Sequence, residues 1–147
     1  MDMTQSPITC ARRIEFDAAH RVMQHEGKCK HLHGHRYALE VGFVASDGLD
    51  ALGRVVDFSV IKEKLGGWID TNWDHATILF DKDKLLGSDI EKHTGQKVFY
   101  LSENPTAENM AAYLMQQVIP ELFKTDNILC THLRLYETPN CFVDIRQ

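Results

Sequence analysis

The sequence predicts an α+β fold in which a mainly antiparallel sheet carries two helices on one face. Three observations predict it. Residues 8–20 and 33–45 alternate apolar and polar side chains, the pattern of half-buried strands. Two later segments place apolar residues at helical spacing. The chain then closes on another alternation that folds back at Thr138-Pro139-Asn140. The order is β-β-α-α-β-β.

In the first strand Ile14, Phe16, Ala18 and His20 share a face, and Arg13, Glu15 and Asp17 share the other. Residues 21–32 form a polar loop. In the second strand His33, His35, Tyr37, Leu39, Val41 and Phe43 face one way, and Arg36, Ala38 and Glu40 the other. Asp47-Gly48 and Gly53 suit a turn, and Val55-Val56 reads as a strand stub. Asp57 or Ser59 caps a helix over about 59–71, with Ile61, Leu65, Trp68 and Ile69 as its stripe. Gly66-Gly67 weakens it by about 1 kcal/mol per glycine relative to alanine. Residues 72–105 are the least regular, with a short helix near 83–92 and an extended piece at Val98–Leu101. A second long helix begins near Asn104-Pro105-Thr106, a favourable place for proline. Its apolar face is Met110, Leu114, Val118 and Leu122, and Pro120 kinks or ends it. Leu133, Leu135 and Glu137 share a face of the closing hairpin. So small a sheet leaves open edges, which predicts a homo-oligomer.

Residues 1–147 read as a single domain with no repeat or linker. With 44% apolar and 25% charged residues, the chain has the balance of a globular protein. A formal charge of -5 argues against a nucleic-acid surface. No apolar run suggests a membrane span, and Met1 to Cys10 lacks the apolar core of a leader. A cytoplasmic location follows, with Cys10, Cys29, Cys130 and Cys141 as reduced thiols.

The chemistry concentrates on histidine. His33 and His35 stand two apart on a strand, so their rings project from one face. His20, at the end of the preceding strand, can join them. Three histidines with an open fourth position form a catalytic zinc pattern, although imidazole also suits iron, copper and nickel. The alternative is a set of hydrogen-bonded core histidines. Cys29 lies in the adjoining loop between Lys28 and Lys30, where positive surroundings favour a thiolate; otherwise it is a plain loop cysteine. Asp74 beside His75 can orient an imidazole for proton transfer, or the two can be surface residues. Glu137, on an apolar strand face, needs partners and can accept two adjacent N–H donors of a ligand, or it can point to water. His93 and His132 read as surface residues. Arg21, His25 and Lys28 are candidates for binding an anion. Gly27, His33, His35 and Glu40 also match half of a cupin motif, but no second half follows and two long helices do not suit a cupin.

A set of ordered strings is more specific. Phe16-Asp17-Ala18-Ala19-His20-Arg21, Gly27-Lys28-Cys29, His33-Gly34-His35, Val56-Asp57-Phe58, Asp74-His75, Asn104-Pro105-Thr106-Ala107-Glu108-Asn109 and Tyr136-Glu137-Thr138 resemble the 6-pyruvoyl-tetrahydropterin synthase / 6-carboxy-tetrahydropterin synthase family. The resemblance runs from about Ile8 to Ile145. It implies the tunnelling fold, assembled as an oligomeric barrel, usually a homohexamer of two stacked trimers with active sites between subunits. It implies zinc on His20, His33 and His35, and Cys29 as the catalytic thiol. Asp74 and His75 complete the acid/base set, from a neighbouring subunit. Glu137 holds the pterin ring, with Thr106 near it. The implied substrate is 7,8-dihydroneopterin triphosphate. The short gap from Cys29 to His33 resembles the bacterial queuosine-pathway enzymes that release acetaldehyde and form 6-carboxy-tetrahydropterin. The pyruvoyl-forming branch is the alternative product, and a pterin- or metal-binding oligomer without turnover is the alternative class. Two features depart from the family pattern: Ala76 follows His75, where relatives often carry a second histidine, and residues 81–100 resemble an insertion.

Overall fold

The computed structural model describes residues 7–147. The leader-free reading of Met1–Cys10 and the outer limit of the single domain fall partly on residues 1–6, outside the described residues. Strand β1 (Cys10–His20) pairs antiparallel with β2 (His33–Ala45) along its whole length, Cys10 opposite Phe43 and His20 opposite His33. That register places all three predicted metal ligands at one end of the hairpin. Strand β2 pairs in turn with β5 (Ile128–Thr138), and β5 with β6 (Cys141–Arg146), both antiparallel.

Two helices cover one face of these four strands. Helix α1 begins at Phe58–Ile61, where the Asp57 carboxylate accepts the Ser59 N–H and so acts as the cap. It widens by one π-type turn over Lys62–Gly66 and closes over Gly67–Asn72. Helix α3 runs through Ala107–Tyr113, a second widened turn at Leu114–Val118, and Ile119–Leu122. Pro120 has no N–H to give a normal helical bond and its ring crowds the preceding turn. The helix meets both constraints by widening just before it and ends soon after.

The region between these helices corrects the four-stranded expectation. Strand β3 (Ala76–Phe80) runs parallel to β1, and β4 (Val98–Leu101) runs parallel to β3. Among the described residues the sheet has six strands in the order β4-β3-β1-β2-β5-β6. Helix α2 (Lys84–Thr94) joins β3 to β4 as a short crossover and stops at Gly95, whose φ of 71° only glycine adopts freely. Residues 81–100, the apparent insertion, therefore extend the sheet. Val55 and Val56 form no strand but pack against the core.

The core lies between the sheet and the helices. Phe16, Tyr37, Leu39, Phe43, Leu133 and Leu135 meet Ile61, Leu65, Trp73, Met110 and Leu114, all nearly solvent-free. The opposite sheet face is polar and carries cross-strand ion pairs: Arg36–Asp17 at 3.0 Å, Arg13–Glu40 at 2.9 Å and Arg134–Asp144 at 2.7 Å. Arg134 holds the Asp144 carboxyl down at about 2 through their hydrogen bonds. Among the described residues no helix is long and apolar enough to cross a membrane.

Candidate active site

The β1–β2 register brings three imidazoles together on the helix-covered face. His20 Nε2 stands 3.2 Å from His33 Nε2, and His33 Nε2 stands 3.1 Å from His35 Nε2. The remaining nitrogens are already committed. His20 Nδ1–H donates to the Pro105 carbonyl at 2.6 Å, and His33 Nδ1–H donates to the His31 carbonyl at 2.6 Å. Carbonyls only accept, so each proton sits on Nδ1 and each Nε2 lone pair faces the others. Burial carries His20 down to about 4; the Pro105 bond opposes this, and His33 and His35 lower it further. Burial also lowers His35, against a pull upward from Glu137. The His20 and His33 lone pairs thus converge beside the His35 ring, an arrangement that fits a shared cation. Tetrahedral nitrogen ligands at about 2.0–2.1 Å from a metal stand about 3.3–3.4 Å apart, close to the spacings found here.

Glu137 joins this centre through a bulge. Tyr136 pairs with Phe142 and Thr138 with Cys141, which leaves Glu137 as the extra residue of β5. The bulge turns its carboxylate toward the histidines, with Oε2 3.8 Å from His20 Nε2. With His20 neutral, this contact is not an ion pair. Tyr37 lies against the rings of His20 and His35 and is fully buried, without a hydrogen-bond partner for its hydroxyl. Burial pushes that phenol up, and the Glu137 charge adds to the push.

Cys29 sits half-buried in a short helical turn, Lys28–Lys30, and its carbonyl accepts the Val22 N–H at 2.8 Å. Arg21 makes a two-pronged pair with the buried Asp83, so it is already neutralised. His25 Nδ1 accepts the Gly27 N–H at 2.7 Å. Thr106 caps α3 by accepting the Asn109 N–H at 3.1 Å, and its O–H donates to no group among the described residues. His93 is exposed as expected, whereas His132 is half-buried against Asp144.

Asp74 and His75 do not join the three histidines. They cluster with Asp17, whose side chain lies on the polar, helix-free face of β1. Asp74 Oδ1 accepts the Asp17 N–H at 3.0 Å, and Oδ2 accepts His75 Nδ1–H at 2.9 Å. Burial raises the Asp74 carboxyl, but the Asp17 N–H, His75 and Lys97 together hold it below its usual range. The dyad is therefore a carboxylate that orients an exposed imidazole with Nε2 outward. His75 adopts a left-handed φ of 57° and its N–H donates to the Asp17 carbonyl at 2.6 Å.

Sequence reading missed the residues that fix these groups: the Pro105 and His31 carbonyls, Asp17, Asp83 and Asn104. Backbone carbonyls leave no mark in a sequence. Asp17 and Asn104 lie within the strings that resemble the family, but nothing in a string marks which backbone groups its side chains will hold.

The cluster of His20, His33 and His35 beside the Glu137 carboxylate, on an α+β sheet, is a candidate metal site. The chain belongs to the 6-pyruvoyl tetrahydropterin synthase family, whose sequence profile matches residues 9–147. It is 53% identical over 138 residues to a protein from Rickettsia bellii named 6-carboxy-5,6,7,8-tetrahydropterin synthase, covering 94% of this chain and 99% of that one. Two solved structures share the fold. An uncharacterized protein from Wolinella succinogenes superposes with a TM-score of 0.80 at 20% identity, covering 97% of this chain and 99% of that one. A 6-pyruvoyl tetrahydropterin synthase from Caenorhabditis elegans gives 0.67 at 23% identity, covering 97% and 96%.

Proposed function

We propose that this chain is a 6-carboxy-5,6,7,8-tetrahydropterin synthase, a zinc-dependent lyase. Its substrates are 7,8-dihydroneopterin triphosphate and one water, and its products are 6-carboxy-5,6,7,8-tetrahydropterin, acetaldehyde and triphosphate. The observation that carries this reading is the convergence of three histidine Nε2 atoms beside the Glu137 carboxylate. The carboxy-forming branch rests on the Rickettsia bellii relative and on the short gap between Cys29 and His33.

His20, His33 and His35 hold the zinc. Bound there, it supplies Lewis-acid polarisation of the substrate's side-chain hydroxyls. Glu137 accepts two adjacent N–H groups of the pterin ring and so fixes its orientation. The Thr106 O–H donates to the same ring. Cys29, as thiolate, takes a proton from the substrate side chain. His75, with its tautomer set by Asp74, exchanges protons through Nε2.

The dyad and the three histidines lie on opposite faces of β1, so His75 serves the site of a neighbouring subunit. The edges of the sheet support this arrangement. Residues Ala18–His20 of β1 pair with β3, whereas among the described residues the same edge from Cys10 to Asp17 pairs with no strand, and β6 is the edge on the other side. One free edge meeting a different one builds a ring, here a trimeric barrel doubled into a homohexamer. A cytoplasmic enzyme suits the four free thiols.

The test is mass spectrometry of the products after zinc-loaded protein meets 7,8-dihydroneopterin triphosphate. Carboxy-tetrahydropterin with acetaldehyde is the expected result. Pyruvoyl-tetrahydropterin without acetaldehyde moves the chain to the other branch, and no product refutes the reading.

A further inference from the structure

We propose that Asn104 is a positioning residue that locks the Cys29 loop in register with the metal centre. The proposal rests on the reading of Cys29 as the catalytic thiol. The loop leaves β1 directly after the metal ligand His20. Three residues on, the Asn104 side chain grips Met23 at both backbone groups: Oδ1 accepts the Met23 N–H at 2.9 Å, and Nδ2 donates to the Met23 carbonyl at 3.2 Å. A side chain thus pairs with the loop as a neighbouring strand would. The next residue, Pro105, gives its carbonyl to His20 Nδ1. One dipeptide therefore holds the metal ligand and the start of the thiol loop. Beside Met23, the Val22 N–H donates to the Cys29 carbonyl, which carries the constraint to the thiol residue.

The dipeptide is itself rigidly held. The Asn104 carbonyl accepts both the Thr106 N–H at 2.8 Å and Asn109 Nδ2–H at 2.9 Å, which ties it to the first turn of α3. Pro105 is buried. A path of hydrogen bonds runs from the helix terminus through Asn104 and Met23 to Cys29, with a short branch to His20. The thiol lies in the loop and the candidate metal ligands in the two strands that flank it, and proton transfer tolerates only small errors in their separation.

The experiment compares the zinc-loaded wild type with Asn104→Ala in zinc content, kcat, KM and hydrogen exchange at individual amides. The expected result is unchanged zinc stoichiometry, little change in KM, and kcat lower by about 10- to 100-fold. Exchange at the Val22 and Met23 amides should quicken about tenfold, while the central amides of α3 stay as slow as before. If Asn104→Ala does not assemble, Asn104→Asp replaces the donor to the Met23 carbonyl with a repelling carboxylate and should show the same pattern. Wild-type kcat together with wild-type exchange overturns the proposal. So does a variant that loses thermal stability while its zinc-loaded fraction keeps full kcat. A wild type that yields no pterin product overturns the functional reading instead, and the exchange comparison still decides whether Asn104 holds the loop.

Discussion

At His20, two requirements agree: a nearly solvent-free imidazole resists protonation, and a metal ligand must be unprotonated. Burial brings the ring to about 4, from an ordinary value of 6.5. The unfolded chain therefore binds this proton between pH 6.5 and 4 while the folded chain does not. Stability from this site is full above pH 6.5 and declines as the pH falls toward 4. Urea unfolding of zinc-free protein should show wild type losing about 3 kcal/mol across that window relative to His20→Gln. Equal slopes for the two proteins would exclude a buried neutral His20. The ligand and thiol roles separate in the same way. His33→Ala should lose zinc and turnover together, whereas Cys29→Ala should keep one zinc per chain and lose turnover. Metal analysis beside a product assay checks both; a zinc-replete His33→Ala protein or a fully active Cys29→Ala protein contradicts the assignment. These side chains were legible because strand parity alone predicts that His33 and His35 share a face. Their carbonyl partners were not, because residues 20 and 105 meet only through tertiary packing.

Among the elements, the long amphipathic ones, the short helix near 83–92 and the extended piece Val98–Leu101 were legible, and the buried strand between them was not. The second strand and both long helices follow from hydrophobic period, within a residue or two at their ends. Strand β3 escaped notice because Ala76–Phe80 is buried on both faces and shows no alternation. Glu137 belonged by parity to the Leu133–Leu135 face, but the bulge that frees it depends on the pairing with β6. Thr106 shows how an element's end serves the site. Its hydroxyl oxygen stabilises α3, and its hydrogen is available to a ligand. Thr106→Val should cost about 1 kcal/mol through loss of the cap and should also raise KM. Thr106→Ser keeps both functions and should stay near wild type. Thermal unfolding with steady-state kinetics checks the pair, and a stable Thr106→Val protein with an unchanged KM would remove Thr106 from the pterin site.

In the whole molecule, the two faces of one sheet divide the chemistry. The helix-covered face carries His20, His33, His35 and Glu137, and the bare polar face carries the Asp17–Asp74–His75 cluster. No side-chain rotation takes a residue through a hydrogen-bonded sheet, so within one chain the His75 ring stays on the face opposite the three histidines. On the function proposed above, the imidazole that serves each site is a neighbouring subunit's. This division makes a prediction that does not depend on the number of subunits. Cys29→Ala and His75→Ala should each be inactive alone. In mixed oligomers from co-expression, a site works when its thiol comes from a His75→Ala chain and its imidazole from a Cys29→Ala chain. With equal amounts and random assembly each condition is met half the time, so about a quarter of wild-type activity returns. A thiol and imidazole from the same chain would instead leave every mixed site without one of the two groups, and the co-expressed protein would be as inactive as its parents.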